Sequence, residues 1–148
     1  METGLRAELP ALAQALDVAI ILDESLCRIE ELADFAPGTL WIPNLRVSKL
    51  GGLLRTLVLV DAAKARGLPL IIGAQVGETS LLTRVALTIA NAAGEALLAQ
   101  EGAFGTLLLE SDVCTPSLMF GQDGTLGYKS AGTGWGVACV AAVEWLHA

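Results

Sequence analysis

The chain has 148 residues, a formal net charge of −7 and a hydrophobic fraction of 53%. Its acidic balance and its scattered Lys and Arg residues argue against nucleic acid as a partner. No apolar run is long enough to cross a bilayer, and no secretory signal pattern opens the chain, so we expect no membrane partner and a cytoplasmic location.

The length predicts a single domain over residues 1–148. The charged fraction of 17% is below the usual quarter, which indicates either nearly complete burial of the strands or an apolar face that meets a partner. The three cysteines, Cys27, Cys114 and Cys139, show no close pairing and no metal-ligand spacing. We therefore expect reduced thiols.

The first elements are a helix, a strand and a short helix. Leucines at helical spacing predict a helix over 5–16, in which Pro10 is tolerated only near the first turn. The apolar run from Val18 to Leu22 predicts a strand that is buried on both faces and ends at Asp23. A short helix over 28–35 follows, with Ser25 as its predicted cap.

The same pattern recurs along the chain. We expect a second strand over 40–49, a helix from Gly51-Gly52 to Gly67, a third strand over 68–74, and a helix from Thr79 or Ser80 to about Ala93. Either 96–100 or 106–109 is the fourth strand, and the final apolar stretch, 137–146, is a short helix or a strand. Strands that alternate with helices predict βαβ units and a parallel sheet, which is either half of an eight-stranded barrel or a small open sheet.

Four motifs make the pattern specific: Leu22-Asp-Glu-Ser25, Asn44-Leu-Arg-Val-Ser-Lys-Leu-Gly-Gly52, Gly73-Ala-Gln-Val-Gly-Glu-Thr79 and Gly132-Thr-Gly-Trp-Gly-Val137. Together they resemble the enolase superfamily, and most closely its muconate-lactonizing and mandelate-racemase groups. The resemblance implies an α/β fold, a partial (half) TIM barrel of about four βα units that correspond to strands five to eight of a modified (β/α)8 barrel.

The resemblance also implies a Mg²⁺ ion held by acidic residues on barrel strands three, four and five. Asp23 falls on the third of these positions, and the alternative for Asp23 is a helix cap. The other two ligands, the lysine pair of strand two and the capping domain would lie before Met1.

Three residues are predicted to be catalytic: Arg46, Lys49 and Glu78. In the lactonizing group the first basic residue of the strand-six motif is the catalytic lysine, and here that position is Arg46. Because a guanidinium stays protonated, we expect Arg46 to stabilise an enolate or hold a carboxylate, and we do not expect a two-base racemisation. On a continuous strand Arg46 and Lys49 would point to opposite faces. Glu78 has an alternative as a carboxylate at a helix N-terminus.

The remaining polar candidates are weaker. Gln75 and Glu101 are predicted to bind substrate, and either Glu101 or Asp112 is the acid of strand eight, with solvated loop carboxylates as the alternative. His147 is expected at the surface rather than as a general base. Trp41, Trp135 and Trp145 are expected in the core or at an interface.

Three functions follow from these predictions. The first is a Mg²⁺-dependent isomerase or lyase that abstracts a proton next to the carboxylate of a small acid, by racemisation, cycloisomerisation or dehydration. The second is a catalytically inactive half barrel, and the third is a module that binds a small acid. Because a half barrel has two open sheet edges, we expect a homo-oligomer or pairing with a missing barrel half.

Overall fold

The computed structural model describes residues 3–35, 40–126, 134 and 136–139. In this part of the chain, four strands form one parallel sheet in sequence order, and two short strands form a separate antiparallel pair. The parallel strands are β1 (Ile20–Leu22), β2 (Trp41–Arg46), β3 (Leu70–Gly73) and β4 (Leu97–Gln100), and the pair is β5 (Cys114–Thr115) and β6 (Ala138–Cys139).

Helices connect the successive parallel strands, as βαβ units require. Helices α2 and α3 pack against each other and against the sheet. This arrangement confirms the predicted half barrel, and it places the fourth strand at the first of the two candidate runs. The helices are α1 (Thr3–Leu16), α2 (Leu53–Ala65), α3 (Ser80–Ala93) and α4 (Gly105–Leu108), with 3-10 helices at Ile29–Asp34 and Gly94–Ala96.

The main core lies between the sheet and helices α2 and α3. Alternate strand residues point into it, and Trp41 joins it with its ring 5.1 Å from the ring of Phe35, which confirms the core position predicted for this tryptophan. Because these inward residues are apolar, the sheet and the helices are held together by apolar burial. The strand residues of this core are Ile20, Leu22, Trp41, Leu45, Leu70, Ile72 and Leu97.

The other face of the sheet carries the intervening residues. The strand register aligns Asn44 with Ile71 and Arg46 with Gly73 on this face, and it aligns Ile21 with Ile42. Ile21 is 52% exposed. The prediction that the first strand is buried on both faces is therefore wrong, because β1 is at the end of the described sheet and has only β2 beside it.

Two predicted helix ends are confirmed, whereas the position of Pro10 and the cap of the short helix differ from the prediction. Gly67 and Gly94 adopt positive φ at the ends of α2 and α3, a conformation that glycine adopts without strain. Pro10 lies in the middle of α1 rather than in its first turn. The helix continues past Pro10, although proline has no N–H and cannot donate the backbone hydrogen bond of that position. The 3-10 helix has Arg28 rather than Ser25 as its N-cap, because the Glu31 carboxylate accepts the backbone N–H of Cys27 and of Arg28.

Some predictions lie outside the described residues. They concern the turn at 37–38, most of the motif at 132–137, the stretch beyond Cys139, and the side chains of Trp135, Trp145 and His147. Where the structure does describe helices, none is both long enough and apolar enough to span a membrane.

Candidate active site

The carboxyl ends of the four parallel strands lie at one edge of the sheet, and each is followed by polar residues. Asp23 directly follows β1, Arg46 is the last residue of β2, and Gln75 comes soon after β3. Glu101 directly follows β4, where its backbone N–H donates to the carbonyl of Ile72 at 2.8 Å. In parallel α/β folds this is the edge at which side chains from different strands meet a ligand.

Arg46 is the centre of the polar cluster at this edge. One of its terminal nitrogens donates to the Asp23 carboxylate and, at 2.8 Å, to Oε1 of Glu24. The other donates to Oε1 of Gln75 at 3.0 Å. The guanidinium therefore joins the ends of β1, β2 and β3 through charge-assisted hydrogen bonds.

Lys49 also contacts Asp23. Its Nζ donates to the backbone carbonyl of Asp23 at 2.5 Å and to Oδ1 of the same residue at 3.0 Å. The expectation of opposite faces is wrong, because β2 ends at Arg46 and the chain then turns. Two backbone hydrogen bonds close this turn: the N–H of Leu50 donates to the carbonyl of Arg46, and the N–H of Gly52 donates to the carbonyl of Val47.

The two cations of this cluster are more buried than the carboxylates. The side chains of Arg46 and Lys49 are 13% and 10% exposed, those of Asp23 and Glu24 30% and 77%. Burial lowers the pKa of Lys49, and the neighbouring Arg46 charge lowers it further. These two effects outweigh the opposite effects of Cys27, Glu24 and Glu31. Since an arginine stays charged, Lys49 is the cation of the pair that is able to release a proton.

Glu78 and Ser48 form a second contact between strand ends. Glu78 is buried, and its Oε1 accepts a hydrogen bond of 3.0 Å from the Ser48 hydroxyl, which lies between the two cations in sequence. Glu78 lies just before α3, which agrees with the alternative of a carboxylate at a helix N-terminus. Its carboxylate also links the loop after β3 to the turn after β2. Sequence reasoning gave no role to Ser48, because it placed this residue within the predicted strand over 40–49 rather than in a turn after it.

A cavity of about 300 Å³ lies between the loops that follow β3 and β4. It is lined by three of the predicted site residues, Gln75, Glu78 and Glu101, and by the apolar side chains of Phe104 and Leu108. The structure thus brings the two predicted substrate-binding residues and one predicted catalytic residue to a single cavity beside the Arg46 cluster.

Asp112 lies away from this cavity and caps α3. Its carboxylate accepts hydrogen bonds from the Ser80 hydroxyl, from the Ser80 N–H at 3.3 Å, from the Cys114 N–H at 3.1 Å and from the Ser117 hydroxyl at 3.1 Å. Although burial raises the pKa of this carboxyl, the hydrogen bonds lower it overall. Of the two candidates for the acid of the fourth strand, Glu101 is therefore the one at the strand end.

The described residues do not fit a magnesium site. No group of three or more His, Cys, Asp and Glu side chains comes close enough in this part of the chain to hold a metal ion. Both carboxylate oxygens of Asp23 already face cations, one facing Arg46 and the other Lys49. Because Mg²⁺ needs near-octahedral oxygen ligation and repels adjacent cations, Asp23 acts as their counter-ion in this arrangement.

Comparison with known proteins identifies the fold. The sequence model of the "Enolase C-terminal domain-like" family matches residues 3–142. The L-Ala-D/L-Glu epimerase from Bacillus subtilis is 22% identical, with a TM-score of 0.59 over 74% of this chain and 30% of the epimerase. A mandelate racemase/muconate lactonizing protein from Herpetosiphon aurantiacus is 20% identical, with a TM-score of 0.57 over 92% of this chain and 35% of that protein.

A further solved structure, from Roseobacter denitrificans, is 24% identical, with a TM-score of 0.60 over 95% of this chain and 38% of the other. The chain therefore spans about a third of the length of the solved structures it matches. No curated protein matches the sequence significantly.

Proposed function

This chain belongs to the enolase superfamily, as a member of its C-terminal-domain-like family, and we propose that it supplies part of the active site of an isomerase or lyase. The proposed reaction moves a proton at the carbon next to the carboxylate of a small acid. The observation that carries this proposal is the convergence of Arg46 and Lys49 on Asp23 at the carboxyl ends of the strands.

Arg46 and Lys49 have different roles in the proposed reaction. The permanent charge and planar fork of Arg46 suit it to hold a substrate carboxylate or to stabilise the negative charge of an enolate. Lys49, whose pKa is lowered, is the proposed proton-transfer group, because a base must be uncharged to accept a proton. When Lys49 is neutral, Arg46 still balances the charge of Asp23.

The cavity between the loops after β3 and β4 is the proposed substrate site. Its volume of about 300 Å³ is at the lower end for small-molecule pockets, which favours a small acid. Gln75 and Glu101 would contact polar groups of the substrate, and Glu78, held by Ser48, is the proposed catalytic carboxylate. Phe104 and Leu108 would exclude water from the apolar part of the substrate.

Magnesium remains a prediction from the resemblance, and no step of the proposed chemistry is assigned to it. The described residues alone do not fit the ion, so Asp23 would bind Mg²⁺ only with further ligands and after release from its two cations. That same pairing favours a second candidate function, a site that binds a small acid without catalysis.

An exchange experiment distinguishes the two functions. A panel of small carboxylates in D2O is followed by NMR for loss of the α-proton signal; an L-Ala-D/L-Glu dipeptide is a natural first member, since the Bacillus subtilis epimerase acts on it. We expect exchange that increases with pH as Lys49 deprotonates below its usual pKa of 10.5. Lys49→Met should lose exchange, whereas the control Lys64→Met, an exposed lysine on α2, should retain it.

The outcomes are distinct. Binding without exchange would support the binding module and contradict the enzyme. Equal exchange by wild type and Lys49→Met would remove the lysine from the mechanism.

We also propose that a second copy of the chain completes the barrel. Within the part of the chain that the structure describes, β1 and β4 each pair with only one strand. A two-fold axis along the barrel would place β4 of one copy beside β1 of the other in the parallel sense, which closes an eight-stranded ring. Exposed apolar residues lie near both ends of the sheet: Leu12, Leu16, Val18 and Ile21 near β1, and Leu98, Phe104, Leu107 and Leu108 at or after β4.

Light scattering tests this assembly. We expect a particle of about twice 15.3 kDa. Ile21→Asp should give a monomer, because it places a charge at the new strand pair, whereas Leu54→Asp should leave the dimer intact. Leu54 is the matched control, since it is also exposed but lies on α2. A wild-type monomer would contradict the proposal, and so would a dimer that survives Ile21→Asp.

A further inference from the structure

The antiparallel pair of β5 and β6 brings two of the three cysteines together. Cys114 and Cys139 are directly opposite each other in the strand register, although 25 residues separate them in sequence. The sequence showed no close pairing of cysteines, because the register of a two-residue strand pair has no local signal. The third cysteine, Cys27, lies elsewhere and donates its thiol to the carbonyl of Glu24 at 3.6 Å.

The backbone geometry of this pair suits a disulfide. Directly opposed residues of antiparallel strands have Cα atoms about 4.5 Å or about 5.5 Å apart, depending on whether the pair is hydrogen-bonded. Disulfides join cysteines whose Cα atoms are about 4.4–6.8 Å apart, so either kind of pair is within range.

We propose that Cys114 and Cys139 are a redox-sensitive pair that closes to an intramolecular disulfide by thiol–disulfide exchange with a low-molecular-weight disulfide such as glutathione disulfide. The Cys139 thiolate attacks one sulfur of the oxidant, forms a mixed disulfide and expels the first glutathione thiolate. The Cys114 thiolate then attacks Sγ of Cys139 and expels the second glutathione thiolate. Two thiols of the protein are oxidised, and the oxidant is reduced to two thiols.

Burial sets the order of these steps. Cys139 is exposed and Cys114 is buried, so the oxidant reaches Cys139 first. Burial raises the pKa of the Cys114 thiol to about 11, and the neighbouring Cys139 thiol contributes in the same direction. Because the thiolate is the attacking species, closure should accelerate as the pH rises towards that value.

Closure would fix a loop that holds α3. The N–H of Cys114 donates to Oδ1 of Asp112, and the same carboxylate caps Ser80 at the start of α3, just after Glu78. A bond from Cys114 to β6 would therefore attach β6 to the loop that caps α3. This inference does not depend on the proposed function, because it rests only on the β5–β6 pair.

Thiol counting and peptide mapping test the proposal. The native protein is incubated with glutathione disulfide, the remaining thiols are titrated under denaturing conditions, and a non-reducing digest is analysed by mass spectrometry. We expect two of the three thiols to be lost, with a linked peptide pair that contains Cys114 and Cys139. Cys27→Ser should form the same linked pair, and Cys139→Ser should form none.

Three results would overturn the inference. The first is a stable glutathione adduct on Cys139 without a link to Cys114. The second is a link that involves Cys27, and the third is a disulfide between two chains, seen as a dimer on a non-reducing gel. Cys139→Ser changes an exposed residue, so folding of this variant is expected and its result is decisive.

Discussion

Asp23→Ala should destabilise the fold, because Asp23 is the shared counter-ion of two largely buried cations. Without the carboxylate, the positive charges of Arg46 and Lys49, at 13% and 10% exposure, lose their shared counter-ion and repel each other. Breaking a fully buried ion pair costs about 3–5 kcal/mol and an exposed pair about 0–1 kcal/mol. Since Asp23 is 30% exposed and Glu24 still contacts Arg46, we expect a loss of about 2 kcal/mol of the free energy of unfolding.

Urea unfolding at a fixed protein concentration measures this loss. The matched control is Asp61→Ala, an exposed aspartate on α2, for which we expect a change within about 0.5 kcal/mol. Adding Lys49→Met to Asp23→Ala should recover part of the loss, since it removes one of the two uncompensated charges. If Asp23→Ala is as stable as the control, or if the double variant recovers nothing, the counter-ion interpretation is refuted.

Three further predictions concern the ion, the helix cap and one glycine. Mg²⁺ should leave the melting temperature of the isolated chain unchanged; a stabilisation that Asp23→Ala abolishes would contradict this. Asp112→Asn should be less stable than wild type above pH 3.8, and the difference in the free energy of unfolding should shrink as the pH falls below that value. The reason is that the pKa of Asp112 is lowered in the folded state, so its carboxyl group stabilises the fold only when it is ionised. A pH-independent difference would contradict this. Gly73→Ala should cost about 1–3 kcal/mol in urea unfolding, because its Cβ would meet the buried amide of Asn44, and adding Asn44→Ala should reverse part of the loss.

The order and type of most elements were predictable because their signals are local. An apolar run that ends at Asp23, and glycines at the ends of α2 and α3, give the strand–helix alternation without knowledge of distant contacts. The ambiguity between 96–100 and 106–109 could not be removed in this way, since a short apolar run suits a strand or a buried turn of helix equally. The structure forms β4 in the first run, and α4 covers most of the second.

The site was predictable in its members but not in their arrangement. Sequence motifs selected Asp23, Arg46 and Lys49, but the end of β2 was placed three residues too late. That boundary depends on contacts between residues 23 to 26 positions apart, such as the pairing of Lys49 with Asp23, and no local pattern reports them. The same reason explains why Cys114 and Cys139 were not predicted to meet.

The replacement of a lysine by Arg46 at the expected base position has a consequence for the rest of the cluster. Two lysines that share one carboxylate would each titrate, and loss of either proton would shift the pKa of the other. Because Arg46 stays protonated, its positive charge is fixed, and Lys49 is the one of the two cations that can lose its proton. The Arg46 charge lowers the pKa of Lys49 and also keeps Asp23 neutralised after Lys49 has lost its proton. In the proposed reaction, Lys49 would therefore be the single base of this cluster.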